Sequence, residues 1–138
     1  MRYLLDACVG LKWVLPEVDS DKAILLRDNF QNQIHDLIAP DILPTECAHT
    51  LSKKQRQGLV RDGLAFWEKV MLDMPVLSPS LPLMRQALSI ATNAKIAVYD
   101  CLYVAFAEQE GCELITSDEK LIRNLQADFP FIVSLSSM

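Results

Sequence analysis

Four acidic side chains stand at positions from which the fold could bring them into one cleft. They are Asp6, Glu46, Asp100 and Asp118. Carboxylates gathered this way repel one another, by about 4 kcal/mol for a pair at ~4 Å and an effective dielectric of ~20. A bound cation makes the group favourable, and oxygen-only ligands select Mg²⁺ or Mn²⁺ over zinc. Paired ions of this kind hold an attacking water and a leaving oxygen in line across a phosphodiester, so these acids are candidate ligands for hydrolysis of such a bond.

Short apolar runs that alternate with amphipathic stretches predict a parallel sheet covered by helices. Strands are expected at residues 2–6, 35–39, 75–77, 113–116 and 131–135. Strand and helix in this rhythm give right-handed crossovers and helices on both faces. We therefore predict an α/β protein, a three-layer α/β/α sandwich with a central, mainly parallel sheet of about five strands.

Helices are expected between these strands. Ser20, Asp41 and Ser80 are candidate N-caps. An apolar face of Leu64, Trp67 and Met71 marks a further helix that ends near residue 72. The helix after Ser80 has a predicted apolar stripe. Its members are Met84, Ala87, Leu88 and Ala91. Residues 99–110 are apolar almost all round and predict a central helix that ends at Gly111.

Ligands of open parallel sheets bind beyond the carboxyl ends of the strands, at the point where the strand order reverses. Asp6 and Asp118 each follow a predicted strand, and each could instead only cap the helix after it. Asp100 opens the central helix, where capping would also explain its type. The position of these acids alone therefore leaves a structural role open.

Glu46 is harder to explain by a structural role. The apolar stripe of its helix is Leu43, Cys47 and Leu51, so Glu46 lies on or beside the inward face. A carboxylate there must be paired, protonated or bound to a cation. Because that face has no Lys or Arg, we favour a cation over a salt bridge.

Length and composition bound the class of protein. With 138 residues, 51% apolar and 22% charged, the chain fits one globular domain, 1–138, and excludes a disordered or fibrous protein. A net charge of −5 argues against holding nucleic acid by phosphate neutralisation alone, unless the acids take up cations. The first apolar run is interrupted by Asp6 and Lys12, so we expect neither a signal peptide nor a membrane span. The four cysteines lack CxxC and zinc-like spacing, which indicates reduced, mostly buried thiols and the cytoplasm.

Four segments of the sequence, in order, resemble the PIN-domain ribonucleases, specifically the VapC-type toxins of bacterial and archaeal toxin–antitoxin pairs. The match runs from the first residues to about Leu125. The segments are YLLDACV at 3–9 followed by Lys12-Trp13, APDILPTE at 39–46, YDCLYVAFAE at 99–108 and LITSD at 114–118.

The resemblance implies Mg²⁺- or Mn²⁺-dependent endonucleolytic cleavage of RNA by a metal-activated water, leaving 5′-phosphate and 3′-hydroxyl ends. It assigns the metal mainly to Asp6 and Asp100, with Asp118 completing the site. Glu46 would ligate a second ion or orient the water. The resemblance also implies a homodimer and an antitoxin protein whose basic or bulky side chains enter the acidic cleft.

Further residues are candidates for supporting roles. Cys8 stands where the family often has Ser, Thr or Asn, and a thiol is a weaker hydrogen-bond donor to a ligand carboxylate. Thr116, two residues before Asp118, is a second candidate of this kind. A cationic cluster could contact RNA or the antitoxin, or could simply be a solvated helix end. Its members are Lys53, Lys54, Arg56 and Arg61.

Other functions meet specific objections. A phosphoacceptor receiver domain needs paired acids after the first strand and a lysine after the last, and both are absent. A haloacid-dehalogenase-type phosphatase needs a second Asp where Cys8 stands. Two alternatives within the family stay open: a housekeeping RNA-processing nuclease, and a non-catalytic module that binds RNA or a partner, against which the intact acids argue.

Overall fold

A five-stranded sheet forms the centre of the computed structural model, which describes residues 1–138. The strands run in the order β3-β2-β1-β4-β5, and every neighbouring pair is parallel. They are β1 (Arg2–Leu5), β2 (Asp36–Pro40), β3 (Val76–Ser78), β4 (Glu113–Thr116) and β5 (Ile132–Ser134). The predicted α/β/α sandwich around a parallel sheet is confirmed.

Seven α-helices connect and cover the strands. They are α1 (Ala7–Leu11), α2 (Ser20–Gln31), α3 (Leu43–Arg56), α4 (Gly63–Leu72), α5 (Met84–Ala94), α6 (Val98–Glu110) and α7 (Glu119–Leu125). Short 3₁₀ turns occupy Leu81–Leu83 and Leu135–Ser137. None of the helices combines the length and the apolar character needed to cross a bilayer.

The strand order places the reversal of the chain between β1 and β4. The chain moves outward from β1 through β2 to β3, then returns to β4 and β5 on the other side of β1. In the β1–β4 pair, Leu5 lies opposite Ile115, and both strands end within one residue of that position. The residues that follow these two strands therefore emerge side by side at the carboxyl edge of the sheet.

The core is one cluster of 35 buried apolar residues, and α6 runs through it. Every residue of α6 from Cys101 to Ala107 is buried, as the apolar sequence predicted. The helix ends at Gly111, which has a φ of 63°, a conformation that favours glycine. Because α6 contacts β1, β2 and β4, its first turn is held against the carboxyl edge of the sheet.

Two predicted helix caps are wrong, and a third is right in position only. Asp41 caps no helix but accepts hydrogen bonds from the backbone N–H of Ser80 (3.2 Å) and from its hydroxyl, so it ties the end of β2 to the end of β3. Ser80 holds the cap position before the 3₁₀ turn Leu81–Leu83, but its side chain makes no capping hydrogen bond. Ser20 is the first residue of α2 rather than its cap, because Asp19 occupies the cap position.

Two helical faces also differ from the prediction. In α5 the buried positions are Ala87, Ile90 and Ala91, whereas Leu88 and Met84 are exposed. The helix packs against α6, and the small side chains of Ala87 and Ala91 lie on its buried face. Leu64 of α4 is likewise exposed. The helix α1 was not predicted, because five residues are too few to show a periodic pattern.

Leu114→Ala should lower the free energy of unfolding by about 2–5 kcal/mol, because Leu114 is fully buried in β4 and its removal leaves a cavity. Leu25→Ala on the exposed face of α2 is the matched control and should change stability by no more than about 0.5 kcal/mol. Urea unfolding followed by circular dichroism measures both. Equal losses in the two variants would contradict the placement of β4 in the core.

Candidate active site

Asp6 lies immediately after β1 and uses both carboxylate oxygens. Oδ1 accepts hydrogen bonds from the Cys8 thiol (2.7 Å) and from the backbone N–H of Val9 (3.3 Å), which caps α1. Oδ2 accepts from the Thr116 hydroxyl (2.5 Å). Burial raises the pKa of the Cys8 thiol, so Cys8 stays protonated and donates. The carboxylate is thereby fixed from three directions at the carboxyl edge of the sheet.

Asp118 is joined to Asp6 through Thr116. The backbone N–H of Asp118 donates to Thr116 Oγ1 (3.0 Å), the same atom that donates its hydrogen to Asp6. Asp118 Oδ1 caps α7 by accepting from the backbone N–H groups of Lys120 (3.0 Å) and Leu121 (3.2 Å). Both acids therefore cap a helix and also lie at one edge of the sheet. A capping role does not exclude a role as a metal ligand.

Glu46 has no ion pair and is held by a tyrosine. The Tyr103 hydroxyl donates to Glu46 Oε2 (3.2 Å), whereas Oε1 is buried and has no hydrogen-bond partner. Burial, followed by the nearby Glu46 charge, raises the pKa of Tyr103, so the phenol stays protonated. An unpartnered buried carboxylate oxygen is costly unless it binds a cation or a proton.

Asp100 stands in the first turn of α6 and does not cap it. The cap position belongs to Ala97, and no side-chain cap hydrogen bond is made there. The Asp100 charge contributes to the raised pKa of Glu46, and the Asp118 charge contributes to that of Asp100. The four acids singled out from the sequence therefore lie in one neighbourhood, although they form no close cluster.

Three of the acids bind their protons more tightly than free carboxylates do. Burial, with the Asp118 charge as a smaller cause, raises the pKa of Asp6 from 3.8 to about 6, although its three hydrogen bonds oppose the shift. Burial and the Asp100 charge raise the pKa of Glu46 to about 7. The pKa of Asp100 is also raised, first by burial and then by Asp118, and the Lys120 cation opposes this shift only in part.

These features fit a divalent cation by the chemistry of the donors. The donors are carboxylate oxygens, which suit Mg²⁺ or Mn²⁺, and Glu46 Oε1 lacks any protein partner. As placed, no three His, Cys, Asp or Glu side chains are close enough to hold an ion jointly. The carboxylates therefore lie in one neighbourhood but are not arranged as the ligands of an ion. Carboxylates without a cation repel one another, which is consistent with this separation.

The cysteines near the site are held as thiols. All four cysteines are free, and Cys47 and Cys101 are fully buried. Burial raises the pKa of Cys47 to about 12 and that of Cys101 to about 11. Because thiolates rather than thiols bind metals, these two side chains are packing residues.

The cationic cluster lies at the far end of α3 from Glu46. Lys54 pairs with Glu17 (3.8 Å), and Arg56 donates to the Ser52 hydroxyl (2.8 Å). Lys53 and Arg61 are exposed and form no ion pair. Two members of the cluster, Lys54 and Arg56, are therefore held by neighbouring side chains, whereas Lys53 and Arg61 have no such partner.

Sequence reasoning missed Tyr103 as a part of the site. It lies three residues after Asp100 on α6, a spacing that places both side chains on neighbouring positions of one helix face. The available signal was its hydroxyl, the one strong hydrogen-bonding group in the apolar run 101–107. His49 of α3 lines the same cleft as Glu46 and Asp100.

In metal-free solution, the stability of the protein should fall as pH rises through about 6. The folded protein binds the Asp6 proton more tightly than the unfolded chain, so this stabilisation is complete below about pH 4 and is lost above pH 6. The shift from 3.8 to about 6 corresponds to roughly 3 kcal/mol. Asp6→Asn, which cannot ionise, should remove this part of the pH dependence.

Urea unfolding in chelator at a series of pH values measures this effect. Asp36→Asn is the matched control, because Asp36 is exposed at the opposite end of the sheet, and it should follow the wild type. Parallel pH profiles for Asp6→Asn and the wild type would contradict the burial of an ionisable Asp6.

Comparison with known proteins identifies the family of the chain. The family model for the PIN domain matches residues 3–125. The chain is 29% identical over 140 residues to ribonuclease VapC3 of Pyrobaculum aerophilum, covering 97% of this chain and 99% of that protein.

Solved structures share the fold. A crystal structure of a Pyrobaculum aerophilum protein superposes with a TM-score of 0.71 and 24% identity, over 99% of this chain and 91% of that one. VapBC2 of Rickettsia felis, bound to promoter DNA, gives a TM-score of 0.61 at 13% identity, with 97% of both chains covered. Because the family model spans most of the sequence and the fold agrees, the chain belongs to the PIN-domain family.

Proposed function

We propose that this protein is a divalent-metal-dependent endoribonuclease, the VapC-type toxin of a toxin–antitoxin pair. The similarity to ribonuclease VapC3 supports the reaction class, and the likeness to a VapBC structure is consistent with an antitoxin partner. The observation on which the proposal depends is that four carboxylates lie in one neighbourhood at the carboxyl edge of the sheet, with Glu46 Oε1 buried and unpartnered.

Asp6, Asp100 and Asp118 are the proposed ligands of Mg²⁺ or Mn²⁺, with Glu46 as a ligand of a second ion or a partner of the attacking water. The ion, when bound, supplies an activated water and charge stabilisation at the phosphodiester. Thr116 and Cys8 fix the orientation of Asp6 through their hydrogen bonds. A carboxylate held in one orientation would hold the ion, and through it the substrate phosphate, in one position.

Glu46 is the proposed acceptor of the water proton. Without a bound ion, burial and the Asp100 charge raise its pKa to about 7, so this carboxylate takes up a proton more readily than a free one does. Tyr103 holds Oε2 and leaves Oε1 for the proton. The buried phenol thereby sets which oxygen of Glu46 reacts.

The assembly around the active site is also a proposal. We place residues 1–138 in one domain that functions as a homodimer in the cytoplasm. The exposed side chains of Leu81, Met84 and Leu88 support dimerisation, because their spacing sets them on one apolar face. A basic antitoxin segment would be attracted to the uncompensated charge of the acidic cleft.

Purified protein should cut end-labelled single-stranded RNA only with Mg²⁺ or Mn²⁺, leaving 5′-phosphate ends. Asp100→Asn should reduce the rate by at least about 100-fold, because it removes one proposed ligand charge. Asp36→Asn, the same change at the far end of the sheet, should retain the wild-type rate. Cutting that persists in chelator or in Asp100→Asn would contradict the proposed mechanism.

The free cations of the α3 end should contribute to binding of RNA rather than to the chemical step. Lys53→Glu or Arg61→Glu should raise KM several-fold and leave kcat unchanged, because each cation would contact a backbone phosphate. Arg123→Glu, an equal change of charge on α7, is the control. An effect on kcat alone, or an equal effect in the control, would exclude this role.

A further inference from the structure

Tyr99 is the only exposed aromatic side chain of the protein. The other aromatic residues among the two Trp, three Tyr and five Phe are buried or half-buried. Tyr99 is 63% exposed although it directly precedes Asp100 at the start of the buried helix α6. The sequence of α6 offers no packing reason for a large aromatic ring at this position.

Tyr99 forms part of a cleft that opens on the acidic site. The cleft has a volume of about 380 Å³, and Glu46 and Asp100 belong to its lining. Thr45, His49 and Thr50 line it from α3. The catalytic acids and the exposed ring therefore share one concave surface.

The chemistry of this lining favours a base and a ribose over a phosphate. No Lys or Arg lines the cleft, so an unshielded phosphate would meet only neutral groups and two carboxylates. Thr45, Thr50 and His49 offer neutral hydrogen-bonding groups, and Tyr99 offers an aromatic face. Exposed aromatic rings that flank a nucleic-acid path are typical platforms for unpaired bases.

We propose that Tyr99 stacks on an unpaired RNA base next to the scissile phosphate, and that the cleft between α3 and the start of α6 binds that nucleotide. This inference rests on the proposed ribonuclease function and adds to it a substrate-positioning residue. Stacking would hold one nucleotide in the cleft and direct the adjoining phosphate toward Asp100 and Glu46. It also restricts the substrate to single-stranded or looped RNA, since a paired base could not reach the ring.

The test compares Tyr99→Ala, Tyr99→Phe and Tyr99→Trp. The probe is a short single-stranded RNA of random sequence that contains 2-aminopurine, whose fluorescence falls when the base stacks. Tyr99→Ala should weaken binding about ten-fold or more, the range found when a stacked aromatic is removed. The Phe and Trp variants should bind as the wild type does, because they keep an aromatic face. Leu25→Ala on α2, also exposed and outside the cleft, is the control.

Cleavage kinetics distinguish positioning from a general loss of function. For Tyr99→Ala we expect a higher KM with a smaller change in kcat, together with loss of the preference for single-stranded over duplex RNA. Wild-type binding and KM in Tyr99→Ala would overturn the proposal, as would an equal loss in Tyr99→Phe, which removes only the hydroxyl. The proposal would also be overturned if Tyr99→Ala bound a basic, antitoxin-like peptide more weakly than the wild type does but bound RNA equally well.

Failure of this proposal is separable from failure of the ribonuclease function. If the wild type cuts RNA in the presence of metal and Tyr99→Ala cuts equally well, the stacking role is wrong and the nuclease stands. If Asp100→Asn cuts as the wild type does, the proposed site is wrong, and the fluorescence assay still decides whether Tyr99 contacts a base. Absence of any RNA binding by the wild type would overturn the stacking proposal.

Discussion

The parallel pairing of β1 with β4 is the constraint on which the rest of this structure depends. The register that sets Leu5 opposite Ile115 brings Asp6 beside Thr116, and one hydroxyl then links Asp6 to the backbone of Asp118. A shift of one residue would turn these side chains to the opposite face of the sheet. The same ladder of backbone hydrogen bonds therefore specifies both the hydrophobic core and the acidic site, because Asp6 and Asp118 follow the ends of these two strands.

Burial of like charges is the main cost of this arrangement. Asp6, Glu46 and Asp100 all have raised pKa values, and burial is the largest cause in each case. Each acid is partly compensated from within the fold. Asp6 is stabilised by Cys8 and Thr116, Glu46 by Tyr103, and Asp100 by the charge of Lys120. A chain with a net charge of −5 does not need basic residues at the site if a cation completes it. This is why an acidic protein remains compatible with an RNA substrate.

Sequence patterns predicted the sheet and most helices, because strands and long helices have strong periodic signals. The patterns misassigned Asp41 as a helix cap, since its bond to Ser80, 39 residues away, leaves no local signal. The face of α5 was predicted in part: Ala87 and Ala91 are buried, but Ile90 rather than Leu88 completes the face, because the neighbours of a helix decide which flank is covered. Tyr103 was not singled out, because its contact with Glu46 lies 57 residues away in sequence.

The caps at Asp6 and Asp118 have a consequence for the choice of inactive variants. In each residue one oxygen binds helix backbone N–H groups, so the side chain belongs to the local fold as well as to the reactive edge. Alanine would remove both properties and cost about 0.5–2 kcal/mol of helix stability, whereas asparagine keeps the capping oxygen and removes the charge. A loss of activity in an alanine variant at either position could therefore come from instability or from the missing charge. The asparagine variants separate these two causes.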